Sequence, residues 1–172
     1  MPSGTLYLLR LLHIVLGVFW VGAVTFIAFF LVPSLRAVGP AGGAVMEQLI
    51  ARRMPLWLMG AAILTVLSGF GLYWHDSAGF SSSTWLASGP ARTFGFGAVM
   101  AVIAVVVGMA VNSPAASRLG ALGAGIKAAG RPPSPDELAE IQRLQQRLAR
   151  ASVLQAVLLL LAAAAMAVAR YT

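Results

Sequence analysis

Hydrophobic residues fall into four long stretches without a charged side chain, and all 12 lysine and arginine residues lie between or beside these stretches. Each stretch has 19 to 22 residues, and about 20 apolar residues suffice for an α-helix to cross the hydrocarbon core of a bilayer. The pattern therefore predicts four transmembrane helices, Leu11–Val32, Pro55–Trp74, Thr93–Val111 and Ala151–Ala169.

The two longer polar segments carry helical patterns of their own. Ala44–Met54 places its apolar side chains on one face, which predicts a short helix at the membrane interface. Ser134, followed by proline and by Glu137, is a helix-start signal. Apolar residues then keep helical spacing, so a helical extension over 135–150 should continue unbroken into the fourth span. The Gly/Ala-rich stretch 120–130 is expected to be a flexible or weakly helical connector.

These patterns predict an all-α fold: a polytopic membrane protein forming a four-transmembrane-helix bundle with amphipathic cytoplasmic segments, all in one domain over 1–172. Composition agrees, since 59% of the residues are hydrophobic and only 10% are charged. In a soluble domain about a quarter of the residues are charged. The lipid bilayer is therefore the expected environment. No nucleic-acid partner is expected despite the net charge of +7, because the basic residues lie at the ends of apolar stretches rather than on one soluble face. There is no cysteine, which excludes thiol chemistry.

The basic residues are divided unequally between the two sides of the predicted bundle. Nine lie in the two long inter-span segments, and three lie near the chain ends or before the third span. The positive-inside rule then predicts cytoplasmic inter-span segments and periplasmic termini. The Ala/Gly/Arg-rich composition is typical of a GC-rich bacterial genome, so the predicted location is the bacterial inner membrane.

Two histidines are the main candidates for chemistry, because no carboxylate lies inside any span. His13 lies near the outer end of the first span and His75 at the outer end of the second, so antiparallel helices bring them to one level. Gly17 and Gly71 each lie four residues deeper on the same helix face. We expect the glycines to leave room for a flat ligand, and the two imidazoles to hold haem b between the helices.

Three further residues could complete such a site. Trp20 lies on the face of His13 near the bilayer middle, and Arg92 lies at the outer level, where it could meet a haem propionate. If the histidines bind copper instead, Met166 is a soft third ligand at a similar level. Each residue also has a structural explanation: interfacial hydrogen bonding for the histidines, close helix packing for the glycines, lipid-facing filling for Trp20, snorkelling for Arg92 and core packing for Met166.

The first span contains His13 and Trp20 in an H-x6-W-x-G pattern, and residues 65–69 of the second span form a T-x-x-S-G pattern. These patterns resemble a set of small bacterial membrane proteins that includes copper-resistance D-like proteins and HemJ-type protoporphyrinogen oxidases. The resemblance to the oxidases implies a haem ligand at His13. The resemblance to the copper-resistance proteins implies copper passage.

Three hypotheses therefore stand. The first is a haem-binding or redox membrane protein with its ligand site between spans 1 and 2 on the outer side. The second is a copper-handling membrane protein that uses His13, His75 and Met166. The third is an accessory subunit without a cofactor, whose small-residue faces pack in a homo- or hetero-oligomer with other membrane proteins. The sequence does not decide whether the chain is an enzyme.

Overall fold

The computed structural model describes residues 2–172, which form helices and turns and contain no strand. Four helices are long and apolar enough to cross a membrane, as the sequence predicts. A short helix lies before the second of them and another before the third. In chain order the six helices are α1 Ser3–Ala37, α2 Pro40–Ala51, α3 Met54–Asp76, α4 Ser83–Leu86, α5 Gly89–Ala129 and α6 Pro135–Tyr171.

The first and third long helices run past the prolines at which the sequence predicted that they would stop. α1 continues through Pro33 and α5 through Pro114. In each helix a five-residue π-helical segment precedes the proline, Ile27–Leu31 in α1 and Gly108–Asn112 in α5. A proline in a helix removes one N–H and crowds the carbonyl four residues earlier, and the wider π turn lets the helix continue. The helices therefore extend beyond the predicted spans, which end at Val32 and Val111.

Beyond the third span the chain forms two packed helices, which we call the arm (residues 113–150). The end of α5 packs against the start of α6. The stretch 120–130, expected to be a flexible or weakly helical connector, is helical up to Ala129, and α5 ends at Gly130, which has a φ of 60°. The predicted start of α6 is confirmed. The Ser134 hydroxyl accepts a hydrogen bond from the Glu137 N–H at 3.2 Å, while the Glu137 carboxylate accepts one from the Ser134 N–H at 2.7 Å.

The predicted continuity of α6 is also confirmed. It is one α-helix from Pro135 to Val168, without a break where the arm meets the fourth span. The predicted short helix after the first span is present as α2, which begins four residues earlier and ends three residues earlier than 44–54.

Small side chains make up most of the buried core, and Trp20 is its largest member. It is 2% exposed. The long helices pair, α1 along α3 and α5 along α6, and α1 also contacts α6. The alanines allow close helix contact. The core contains Trp20, Val24, Ala28, Ala61, Ala62, Ala104, Ala156 and Leu159.

An aromatic cluster covers the end of the bundle at which both chain termini lie, which we call the terminal end. The ring of Tyr73 meets that of Trp85 edge to face at 4.8 Å, and Trp74 meets Phe80 at 5.2 Å. The Tyr73 hydroxyl donates a hydrogen bond to the Ala91 carbonyl at 3.3 Å. This cluster fixes the turn between α3 and α5 on the terminal end.

Candidate functional site

His13 crosses from α1 to the backbone of α3. Its Nδ1 lies 2.8 Å from the carbonyl oxygen of Thr65. A carbonyl oxygen can only accept, so Nδ1 carries the hydrogen, and in the neutral ring Nε2 keeps its lone pair. Among the described residues, Nε2 makes no hydrogen bond. His13 is thus a fixed imidazole with one nitrogen committed and the other available.

Gly69 on α3 makes this contact possible. A Cβ added at Gly69 would lie 2.7 Å from Cε1 of His13 and 2.9 Å from its Nδ1. Atoms cannot approach so closely, so the ring occupies the place that a side chain would take. Gly69 lies four residues after the accepting Thr65, and both belong to the T-x-x-S-G pattern. The sequence analysis recognised that pattern but did not connect it with His13.

Gly17 and Gly71 do not leave the expected space. Cγ2 of Thr65 lies 3.5 Å from the Cβ position of Gly17, and Cδ1 of Leu9 lies 3.3 Å from that of Gly71. A Cβ at Gly17 would make an ordinary van der Waals contact, and one at Gly71 would make a tighter contact, so side chains of the opposite helix lie close to both glycines. The predicted site for a flat ring above these glycines stays a prediction.

His75 lies away from the His13 contact. Its Nδ1 is 3.2 Å from Oδ1 of Asp76, and its side chain is 34% exposed. His13 packs at the level of Gly69, which is six residues before His75 and hence about 9 Å away along the helix axis. A haem held by both imidazoles between the two helices does not fit this arrangement.

The other candidate residues lie apart from His13 as well. Trp20 is seven residues further along α1, about 10 Å along the axis, and is buried in the core. Arg92 is exposed near the start of α5. Met166 packs between α6 and α5, with its Cε 3.1 Å from the Cβ position of Gly97. The described residues contain no group of three or more His, Cys, Asp or Glu side chains that could hold a metal ion.

A buried hydroxyl lies beside the His13 contact. Oγ1 of Thr65 is buried and has no hydrogen-bond partner among the described residues. Ser68 also approaches the same backbone, and its hydroxyl donates to the carbonyls of Leu64 at 2.6 Å and Thr65 at 3.1 Å. The site therefore combines a fixed imidazole with an unpaired hydroxyl inside an otherwise apolar helix pair.

A second polar contact joins α5 and α6, and the sequence analysis missed it. Gln155 is 9% exposed, and its Nε2 donates to the Ala104 carbonyl at 3.0 Å. Its Oε1 accepts from Nδ2 of Asn112 at 2.9 Å. A Cβ at Gly108 would lie 2.7 Å from Nε2 of Gln155. The available signal was an amide side chain inside an apolar stretch, Gln155 within the fourth predicted span.

Charged groups concentrate in the arm. The Arg131 guanidinium donates to both carboxylate oxygens of Glu137 at 2.8 Å. With the Ser134 N–H, this bond lowers the pKa of Glu137 to about 2. Arg143 donates in the same way to Glu140 at 2.8 and 3.0 Å and lowers the pKa of that carboxyl group. The arm therefore carries structural ion pairs, whereas the candidate ligand lies near the terminal end.

Comparison of the chain with protein-family models, with curated proteins and with solved structures found no match in any of the three.

Proposed function

We propose that this chain is a haem-binding redox protein of the bacterial inner membrane, and that His13 alone supplies the protein's ligand to haem b. One observation carries the proposal: Nδ1 of His13 donates a hydrogen bond to the Thr65 carbonyl at 2.8 Å. The lone pair of Nε2 is therefore free to bind iron. Histidines that bind metals usually make this bond through the other ring nitrogen, because it fixes the tautomer and raises the basicity of the ligand atom.

The residues fit a haem on one imidazole better than a haem between two. His13 is only partly buried, so its free edge is accessible at the side of the α1–α3 pair. The unpaired Thr65 hydroxyl lies beside it. A bound haem would supply one-electron transfer, while the chain would hold its iron and exclude water. No protoporphyrinogen oxidation is proposed, because the resembling oxidases use a lysine in the third span and the only lysine here is Lys127, in the arm.

We also propose that both termini face the periplasm. The observation in support is the division of basic residues, nine in the inter-span segments against three elsewhere. Reporter fusions at Thr172 should be active with a periplasmic reporter and inactive with a cytoplasmic one. The reverse pattern would contradict this orientation without affecting the ligand proposal.

The second candidate function is an accessory subunit without a cofactor. The closed contact between α1 and α3 favours it, because the glycines are already filled by Thr65, Leu9 and His13 itself. In that case the hydrogen bond of His13 serves helix packing. Copper handling is the weaker alternative, since Met166 packs against the third span and His13 against the second.

The visible absorption spectrum of the detergent-purified protein, after expression with added haem precursor, separates these functions. The parent should show a haem band, and His75→Ala, the matched control, should keep it. His13→Ala should lose the band and regain it when imidazole is added. A parent protein without a haem band, or a His13→Ala variant with the parent spectrum, would contradict haem ligation by His13.

A further inference from the structure

A shallow groove follows α6 where the arm meets the fourth span. It has two adjoining parts of about 400 and 520 Å³ that share Arg150 and Leu154. The first part is closed on the other side by Val111 of α5, and it also reaches Arg147. The second part is almost entirely apolar and extends to Val157. One end of the groove is therefore basic and the other end is hydrocarbon.

The basic end carries positive charge that the protein does not neutralise. Arg143, Arg147 and Arg150 are spaced four and three residues apart, so they lie on one face of α6. Arg143 is paired with Glu140. Neither Arg147 nor Arg150 has a carboxylate within ion-pair distance in the part of the chain that the structure describes.

The apolar end continues the same helix face into the span. Val153, Leu154 and Val157 are 39, 51 and 42% exposed. They begin directly after Arg150, so the change from charge to hydrocarbon takes place within about one helical turn. A phospholipid has the same change between its phosphate and the start of its acyl chains.

We propose that this groove binds an anionic diacyl phospholipid, with the lipid phosphate at Arg147 and Arg150 and an acyl chain along Val153, Leu154 and Val157. Arginines at the membrane end of a helix attract anionic head groups, and here they adjoin an exposed apolar face of the same helix. A soluble polyanion such as a nucleic acid would meet the two arginines but not the apolar half. The proposal is independent of haem binding, because the groove lies at the arm end and His13 near the terminal end.

The test titrates the delipidated protein with dioleoyl phosphatidylglycerol or dioleoyl phosphatidylcholine and counts bound lipids by native mass spectrometry. The parent should prefer the anionic lipid. Each arginine near an anionic lipid changes binding about fivefold, so the double variant Arg147→Gln/Arg150→Gln should bind phosphatidylglycerol about 25-fold more weakly. The control Arg10→Gln/Arg170→Gln removes two exposed arginines at the opposite end and should leave this binding unchanged.

Three results would overturn the proposal. They are equal binding of the two lipids by the parent, an equal loss in both double variants, and displacement of the lipid by glycerophosphate, which has no acyl chain. Leu154→Ala changes no charge. It tests the apolar part of the groove separately, in case the double variant does not fold. It should weaken phosphatidylglycerol binding by a smaller factor, and an unchanged affinity in Leu154→Ala would contradict the acyl-chain contact.

Discussion

The two helix pairs of the bundle are joined by polar contacts that share one backbone arrangement. In the α1–α3 pair, His13 donates to the Thr65 carbonyl across Gly69. The glycine lies four residues after the accepting carbonyl, at the position whose N–H bonds to that carbonyl in an α-helix. With no Cβ there, the oxygen is open to a donor from the neighbouring helix.

The α5–α6 pair repeats this arrangement with a different side chain. Gln155 donates to the Ala104 carbonyl across Gly108, which again lies four residues after the acceptor. The two contacts differ in the second polar atom of the side chain that donates. The second polar atom of Gln155 is taken by Asn112, whereas Nε2 of His13 has no partner among residues 2–172.

This difference separates a structural contact from a candidate ligand. A side chain whose polar atoms are all satisfied has nothing left to offer, and its role is to hold two helices together. The imidazole uses one nitrogen for the same purpose and keeps the other for an external partner. The same backbone arrangement thus supports helix packing in one pair and, as we propose, ligand binding in the other.

Substituting the two glycines should break the contacts unequally. Gly108→Val displaces a side chain that makes two hydrogen bonds, so we expect it to lower the free energy of unfolding by about 2–4 kcal/mol. Gly69→Val displaces a ring that makes one and should cost about 1–3 kcal/mol. Denaturant titration in detergent micelles, followed by circular dichroism, would measure both.

The matched control for these substitutions is Gly60→Val. A Cβ there has no neighbouring atom within 4 Å, and valine has a slightly higher helix propensity than glycine, so the change should alter the free energy of unfolding by less than about 1 kcal/mol. A cost at Gly60 equal to that at Gly108 would show that any valine in these helices is destabilising, and the comparison of the two contacts would fail.

A double-mutant cycle should measure the extra bond that distinguishes Gln155 from His13. Asn112→Ala, Gln155→Ala and the double variant should give a coupling energy of about 0.6–1.7 kcal/mol, as for other hydrogen bonds between transmembrane helices. Additive effects of the two changes, measured by the same unfolding assay, would mean that the amide pair does not close the contact.

The smallest effect is expected in the arm and depends on pH. The pKa of Glu137 is lowered to about 2 from its ordinary value of 4.5 by the hydrogen bonds from Arg131 and Ser134. The ionised carboxylate therefore stabilises the folded arm above pH 4.5, and this contribution is lost as the pH falls towards 2. The protection factors of the first amides of α6, which compare the exchange rate with the intrinsic rate at the same pH, should fall over that interval.

Glu137→Gln should remove this pH dependence, and Asp136→Asn, one residue earlier, should preserve it. Gln155 and Asn112 do not titrate, so the protection factors of amides near them should not change over the same interval. A parallel change in both regions would point to global unfolding instead of loss of the cap.

The sequence predicted the features that depend on local pattern. Span number follows from apolar length, and the start of α6 follows from the Ser134 and Glu137 spacing. The continuation of α1 and α5 through Pro33 and Pro114 was not predicted, because whether a proline ends a helix or is absorbed by a π turn depends on packing by neighbouring helices. The pairing of His13 with Gly69 also depends on how two helices are rotated against each other, which neither helix's pattern contains.

The two π turns also set the phase of the helices that follow them. A π turn contains one more residue than an α turn, so it rotates everything downstream by about 100° relative to a regular helix. Both turns lie at the same distance before a proline, at Pro33 and Pro114. Arg36, three residues after Pro33, donates to the Gln145 carbonyl on α6. Deleting one residue from Ile27–Leu31 would turn Arg36 away from α6, so the extra residue determines the direction in which the end of α1 faces.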